Sequence, residues 1–161
     1  MANILPNEIE LFKRIKDEKI TIDPGIVDFL YNYIKDDINE IDIFCRYYVS
    51  RQEPMPPYEA QRILMYTRDI EFIISNITKE KLDSSIFPDF KTDMPLDPLI
   101  RDLLTYHLGN DIYCVNLIVQ EAIEPSNKKP SHIPMHSLQK ILEHTLAIKE
   151  FMDKLKAAVS V

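Results

Sequence analysis

Glycine is nearly absent from this 161-residue chain, with only Gly25 and Gly109 present. A dinucleotide fingerprint or a P-loop needs several glycines in one short segment, so both are excluded. An all-β chain with many tight turns is disfavoured for the same reason. Tryptophan is missing, and the two cysteines, Cys45 and Cys114, are too few for a disulfide scaffold or a thiolate metal site. Positive charge is also scarce, with 19 Lys and Arg against 26 Asp and Glu and a formal charge of −7. Without a basic stripe, nucleic acid is not an expected ligand, because phosphate neutralisation supplies most of that affinity. No uncharged apolar run approaches the roughly 18 residues needed to span a membrane. The stretch from Met1 to Glu10 has no apolar run behind a basic start, so no secretory leader is expected and the expected location is cytoplasmic.

What is present is helical patterning punctuated by eleven prolines. The intervals 26–50, 58–81, 99–124 and 136–159 contain none of them. Within these intervals Leu30, Ile34, Ile38, Ile41, Cys45 and Tyr48 step by three and four, and Leu104, Leu108, Ile112, Val115, Val119 and Ala122 step identically. Two further seams are Ile63, Tyr66, Ile70, Ile73, Ile77 and Ile141, His144, Ile148, Phe151, Leu155. Such spacing predicts long amphipathic helices packing nearly antiparallel. Pro24 and Pro98, each behind an aspartate, mark expected helix starts. A shorter helix is predicted over about 7–16, with Ile9, Leu11, Phe12 and Ile15 on its apolar side. The stretch 83–96 reads as a polar, proline-containing connection.

The matching steps imply an internal repeat. At an offset of 74, residues 23–45 and 97–119 share Asp23/Asp97, Pro24/Pro98, Ile26/Ile100, Asp28/Asp102, Leu30/Leu104, Asp37/Asp111 and Ile38/Ile112. At an offset of 78, residues 56–77 and 134–155 share Pro56/Pro134, Gln61/Gln139, Ile63/Ile141, Leu64/Leu142, Thr67/Thr145 and Ile70/Ile148. One helical hairpin cannot bury its own seam, so two must pair. The expectation is a single all-α domain over 1–161: an antiparallel four-helix bundle of two homologous hairpins plus the short N-terminal helix. The hairpins span about 23–79 and 97–157, joined by 80–96. Because the covalent repeat fills a dimer's role, a pseudo-two-fold monomer is expected.

The segment Leu103-Leu104-Thr105-Tyr106-His107-Leu108-Gly109-Asn110-Asp111, followed by a loop and Leu138-Gln139-Lys140-Ile141-Leu142-Glu143, carries a family likeness. It resembles the dimerisation and histidine-phosphotransfer hairpin of two-component sensor histidine kinases, whose first helix opens on L-L-x-H-D-L-x-N-D. Leu103, Leu104, Leu108, Asn110 and Asp111 match that pattern. Tyr106 stands at the phosphoacceptor place and His107 at the acidic neighbour's; the first hairpin has Asn32 and Tyr33 there. The resemblance implies a non-enzymatic signalling adaptor or degenerate phosphotransfer-like protein that docks a receiver domain or a sensor kinase. Tyr106, His107, Asn110, Asp111, Asn32 and Tyr33 are then the candidate partner-binding residues.

Two chemical alternatives use His107. A flanking imidazole can accept a phosphoryl group, which would make the chain a phosphorelay intermediate. Arg101 and His107 also fit the permissive R-x(4–6)-H pattern of small helical (HEPN-like) ribonuclease toxins. His144 on its seam reads as a hydrogen-bonded bundle residue, and His132 and His136 flank Pro134 in a loop. No spacing supplies three or four convergent ligands, so neither metal nor cofactor is expected. Asp36, Asp37, Glu40 and Asp42 read as a solvated helix face.

Overall fold

The computed structural model describes residues 7–82, 85–87, 95–124 and 129–159. The protein is mostly helical, and among the described residues there is no strand; Met55 and Ile133 form an isolated antiparallel β-bridge. In order, the elements are α1 (Glu8–Asp17), α2 (Pro24–Ser50), α3 (Pro57–Ile77), α4 (Pro98–Asp102), a π-helical turn (Leu103–Leu108), α5 (Gly109–Ile123) and α6 (Met135–Ala158). None of the described helices is long and apolar enough to cross a membrane.

Capping follows the expected chemistry. Asp23 Oδ1 accepts the Gly25 N–H at 2.8 Å, and Asp97 Oδ1 accepts the Leu99 N–H at 2.9 Å. Each aspartate satisfies one otherwise orphaned first-turn donor and precedes a proline at the first helical position. Asn7 caps α1 by accepting from the Glu10 N–H at 2.8 Å. Pro56 and Pro134, both extended, lead into α3 and α6 without a side-chain cap.

The seam residues are buried as expected, with two instructive exceptions. Tyr66 and His144, which the offset of 78 aligns, are both only half-buried. Buried positions run through every helix as a single cluster, and each fully buried Leu or Ile contributes roughly 1.5–3 kcal/mol of transfer free energy. The most extensive packing is α2 on α6 and α3 on α5, followed by α5 on α6 and α2 on α3. The two helices of each hairpin therefore lean more on the other hairpin than on each other. Helix α1 lies on α6, where the Phe12 and Phe151 ring centroids are 5.4 Å apart. Met55 and Ile133, both fully buried, exchange backbone hydrogen bonds of 3.0 and 2.8 Å and tie the two hairpin loops together.

Three expectations need correction. Ile9 is 75% exposed, so the apolar side of α1 is Leu11, Phe12 and Ile15 alone. The stretch 99–124 is not one uninterrupted α-helix. The Gly109 N–H bonds back to the Leu104 carbonyl, five residues earlier, which widens one turn. Gly109 contributes least to an α-helical interior after proline, and it sits where the regular geometry resumes. Lastly, the connection after α3 is more than polar linker. Leu82, Phe87 and Leu96 are all buried, and Phe87 meets Phe29 edge-on at 5.5 Å. Residues 83–84 and 88–94 of that connection lie outside the described residues.

Candidate functional site

Polar side chains reach the interior at two levels of the helix pairs. Asp42 on α2 is 6% exposed, and Asn116 on α5, aligned with it by the offset of 74, is 5% exposed. Thr67 on α3 and Thr145 on α6, aligned by the offset of 78, are fully buried. The Thr145 hydroxyl donates to Asp42 Oδ1 at 2.6 Å, and the Lys149 ammonium donates to Asp42 Oδ2. Across the molecule, the Thr67 hydroxyl donates to Asn116 Oδ1, and the Asn116 amide donates to Glu71 Oε1. Each cluster joins α2 to α6 or α3 to α5, and Lys149 and Glu71 occupy aligned positions.

The reading of the acidic residues as a solvated face fails for Asp42. Burial pushes its carboxyl up, but hydrogen bonds from Lys149 and Thr145 and the charges of Lys149 and Arg46 outweigh it. The group ends below the usual carboxylate range and stays ionised. Asp37 also departs from that reading. It is half-buried, its Oδ2 is shielded from solvent without a hydrogen-bond partner, and its carboxyl is pushed up to about 6. Burial is the main cause, followed by repulsion from Asp69, Asp36 and Glu40. Asp36 and Glu40 are exposed, as the solvated-face reading requires.

The six candidate binding residues fall into two separated groups. Asn32 is exposed on α2, and Tyr33 is half-buried beside it, stacked on Phe29 at 5.4 Å. The Tyr33 hydroxyl is pushed above the ordinary phenol range by burial and by the nearby Asp69 and Asp37 carboxylates. Tyr106 and His107 ride on the π-helical turn, Tyr106 52% exposed and His107 half-buried. Asn110 is exposed in the first turn of α5. Asp111 is half-buried and meets His144 Nδ1 at 2.9 Å, linking α5 to α6. Helix α2 does not pack extensively on the π-turn, so the structure does not bring the two groups together.

His144 was legible as a hydrogen-bonded bundle residue; its partner Asp111 was not. The buried Thr, Asp and Asn partners were also missed, although their alignment at the two offsets was available. Along the outer side of the π-helical turn and α5, Tyr106, Tyr113 and Leu117 recur at steps of seven and four and are 52%, 56% and 47% exposed. With Asn110 between the two tyrosines, they form one aromatic stripe. No cluster of three metal-ligating side chains occurs among the described residues. No family model, curated protein or solved structure matches the chain.

Proposed function

We propose that the chain is a four-helix bundle of two homologous hairpins, about 23–79 and 97–157, and acts as a non-enzymatic docking module for a signalling protein. The architectural part is supported by the crosswise pairing of aligned residues. Asp42 meets Thr145 while Asn116 meets Thr67, and the aligned Met55 and Ile133 bond to each other. A pseudo-two-fold axis passing between Met55 and Ile133 accounts for all three. A chain that carries both halves of such an interface needs no second copy and is expected to be a monomer.

The observation that carries the docking function is the exposed stripe Tyr106, Asn110, Tyr113 and Leu117. Aromatic side chains with a polar tip are enriched where one protein covers another, and they often dominate the binding energy. The resemblance of this segment to the kinase hairpin makes a receiver domain or a sensor-kinase hairpin the expected partner. Asp111, the acid within the motif, is engaged by His144.

Isothermal titration with purified receiver domains and kinase hairpins encoded in the same genome tests the reading. Tyr106→Ala and Tyr113→Ala should each weaken binding by about 2 kcal/mol, the threshold of a hot spot. His107→Ala should stay within about 1 kcal/mol. Absence of binding to either partner class, or acid-labile phosphate on wild type that His107→Ala abolishes, overturns it.

A further inference from the structure

The two hairpin loops differ in length and in what they build. Residues 51–56 join α2 to α3, whereas 124–134 join α5 to α6. In the longer loop, the Ser131 N–H returns to bond the Ala122 carbonyl at 2.8 Å, and Ile133 is anchored on Met55. The segment 129–134 thus lies over the end of α5 and leaves a pocket of about 490 Å³ against the start of α6. Its apolar floor is half-buried Ile118, with Ala122 and the fully buried Ile133 packed beneath. Around the mouth stand Lys129 and His132 from the loop, and His136 and Lys140 from one face of α6.

This is an unusual concentration of basic groups for a chain of net charge −7. Glu121 is the single carboxylate among the described lining residues, and none of the four basic side chains forms an ion pair with another described residue. The first turn of α6 adds to the positive potential, because it has no side-chain cap and no acidic residue, whereas the first turn of α3 carries Glu59.

We infer that this pocket binds a small organic phosphate: a phosphate monoester whose apolar or aromatic body rests on half-buried Ile118. A dianionic phosphate offers three acceptor oxygens, which suits the Lys129 and Lys140 ammonium groups and the two imidazoles around the mouth. The volume falls within the roughly 300–1,000 Å³ of small-molecule sites and exceeds what a bare inorganic ion fills. The apolar floor selects for a ligand with a body. The site is independent of the aromatic stripe on α5 and of the docking reading built on it.

The test is a titration of the full chain, labelled with nitrogen-15, with phenyl phosphate, followed by amide chemical shifts. Saturable shifts are expected at Ser131, His132, His136 and Ser137, with weaker affinity for inorganic phosphate and no response to phenol. Lys140→Glu should weaken phenyl phosphate by about tenfold or more, the scale of one charge-assisted hydrogen bond. Lys16→Glu, the same charge change at an exposed position on α1, should leave affinity unaltered. Both positions are exposed, and dispersed spectra show directly that each variant is folded. The proposal is overturned by shifts that are scattered or fail to saturate, by equal affinity for inorganic phosphate, by a response to phenol, or by equal weakening in both variants.

Discussion

Asp42 and Lys149 can be exchanged for the pair that the aligned cluster already uses, and the consequences follow from the geometry. Asp42→Asn keeps the carbonyl oxygen that accepts from Thr145 but turns an amide toward the Lys149 ammonium. Breaking a buried ion pair costs about 3–5 kcal/mol when one partner is left uncompensated. The Lys149 side chain is 25% exposed, so water takes over part of its solvation and the expected loss is about 1–2 kcal/mol. Lys149→Glu sets two carboxylates against each other in a half-buried position and should lose about 2 kcal/mol or more. In the double variant, the new amide at position 42 donates to the new carboxylate at position 149 and accepts from Thr145. That reproduces the arrangement of Asn116, Glu71 and Thr67. The double variant should return to within about 1 kcal/mol of wild type, a coupling free energy of about 2 kcal/mol. Urea unfolding followed by circular dichroism at 222 nm measures all four proteins, and an unchanged denaturant slope identifies the difference as stability. A double variant whose loss equals the sum of the two singles refutes the equivalence of the clusters.

Asp37 provides a pH test of the opposite sign. Its folded pKa, at about 6, lies above the ordinary 3.8, so the folded state binds the proton more readily than the unfolded chain. The ionised carboxylate therefore opposes folding above about pH 6, and the opposition fades as pH falls toward 3.8. Solvent screening of this half-buried group reduces the effect, so Asp37→Asn should stabilise by about 1 kcal/mol near pH 7.5 and by almost nothing near pH 4. A stabilisation equal at both pH values contradicts the electrostatic cause. Cys45 is fully buried and its thiol is pushed up to about 12, chiefly by burial and then by Asp42. A thiol reagent should therefore label half-buried Cys114 in the native protein and reach Cys45 only on unfolding. Labelling of both at equal rates in the folded state refutes the packing around Cys45.

Helix positions, their aspartate caps and nearly all of the buried seam could be read from one-dimensional spacing, because an amphipathic helix writes its core face at every third or fourth residue. Leu30 to Tyr48 and Leu104 to Ala122 are buried as that period requires. The alignment of Asp23 with Asp97 and of Thr67 with Thr145 was legible for the same reason: a residue type at a fixed offset is a property of the string. Which helices lean on which was not. The preference of α2 for α6 and of α3 for α5 is set by how side chains fill the space between helices, and the periodicity of one helix does not name its neighbour. The same holds for Asp42, which the string groups with exposed Asp36 and Glu40. The arrival of Thr145 and Lys149, more than a hundred residues later, joins the nearby charge of Arg46 in offsetting the cost of its burial. The widened turn at Leu103–Leu108, the meeting of Asp111 with His144, and the pocket beneath residues 129–134 were likewise decided in three dimensions. The last two depend on groups distant in the chain converging, and convergence leaves no period in the sequence.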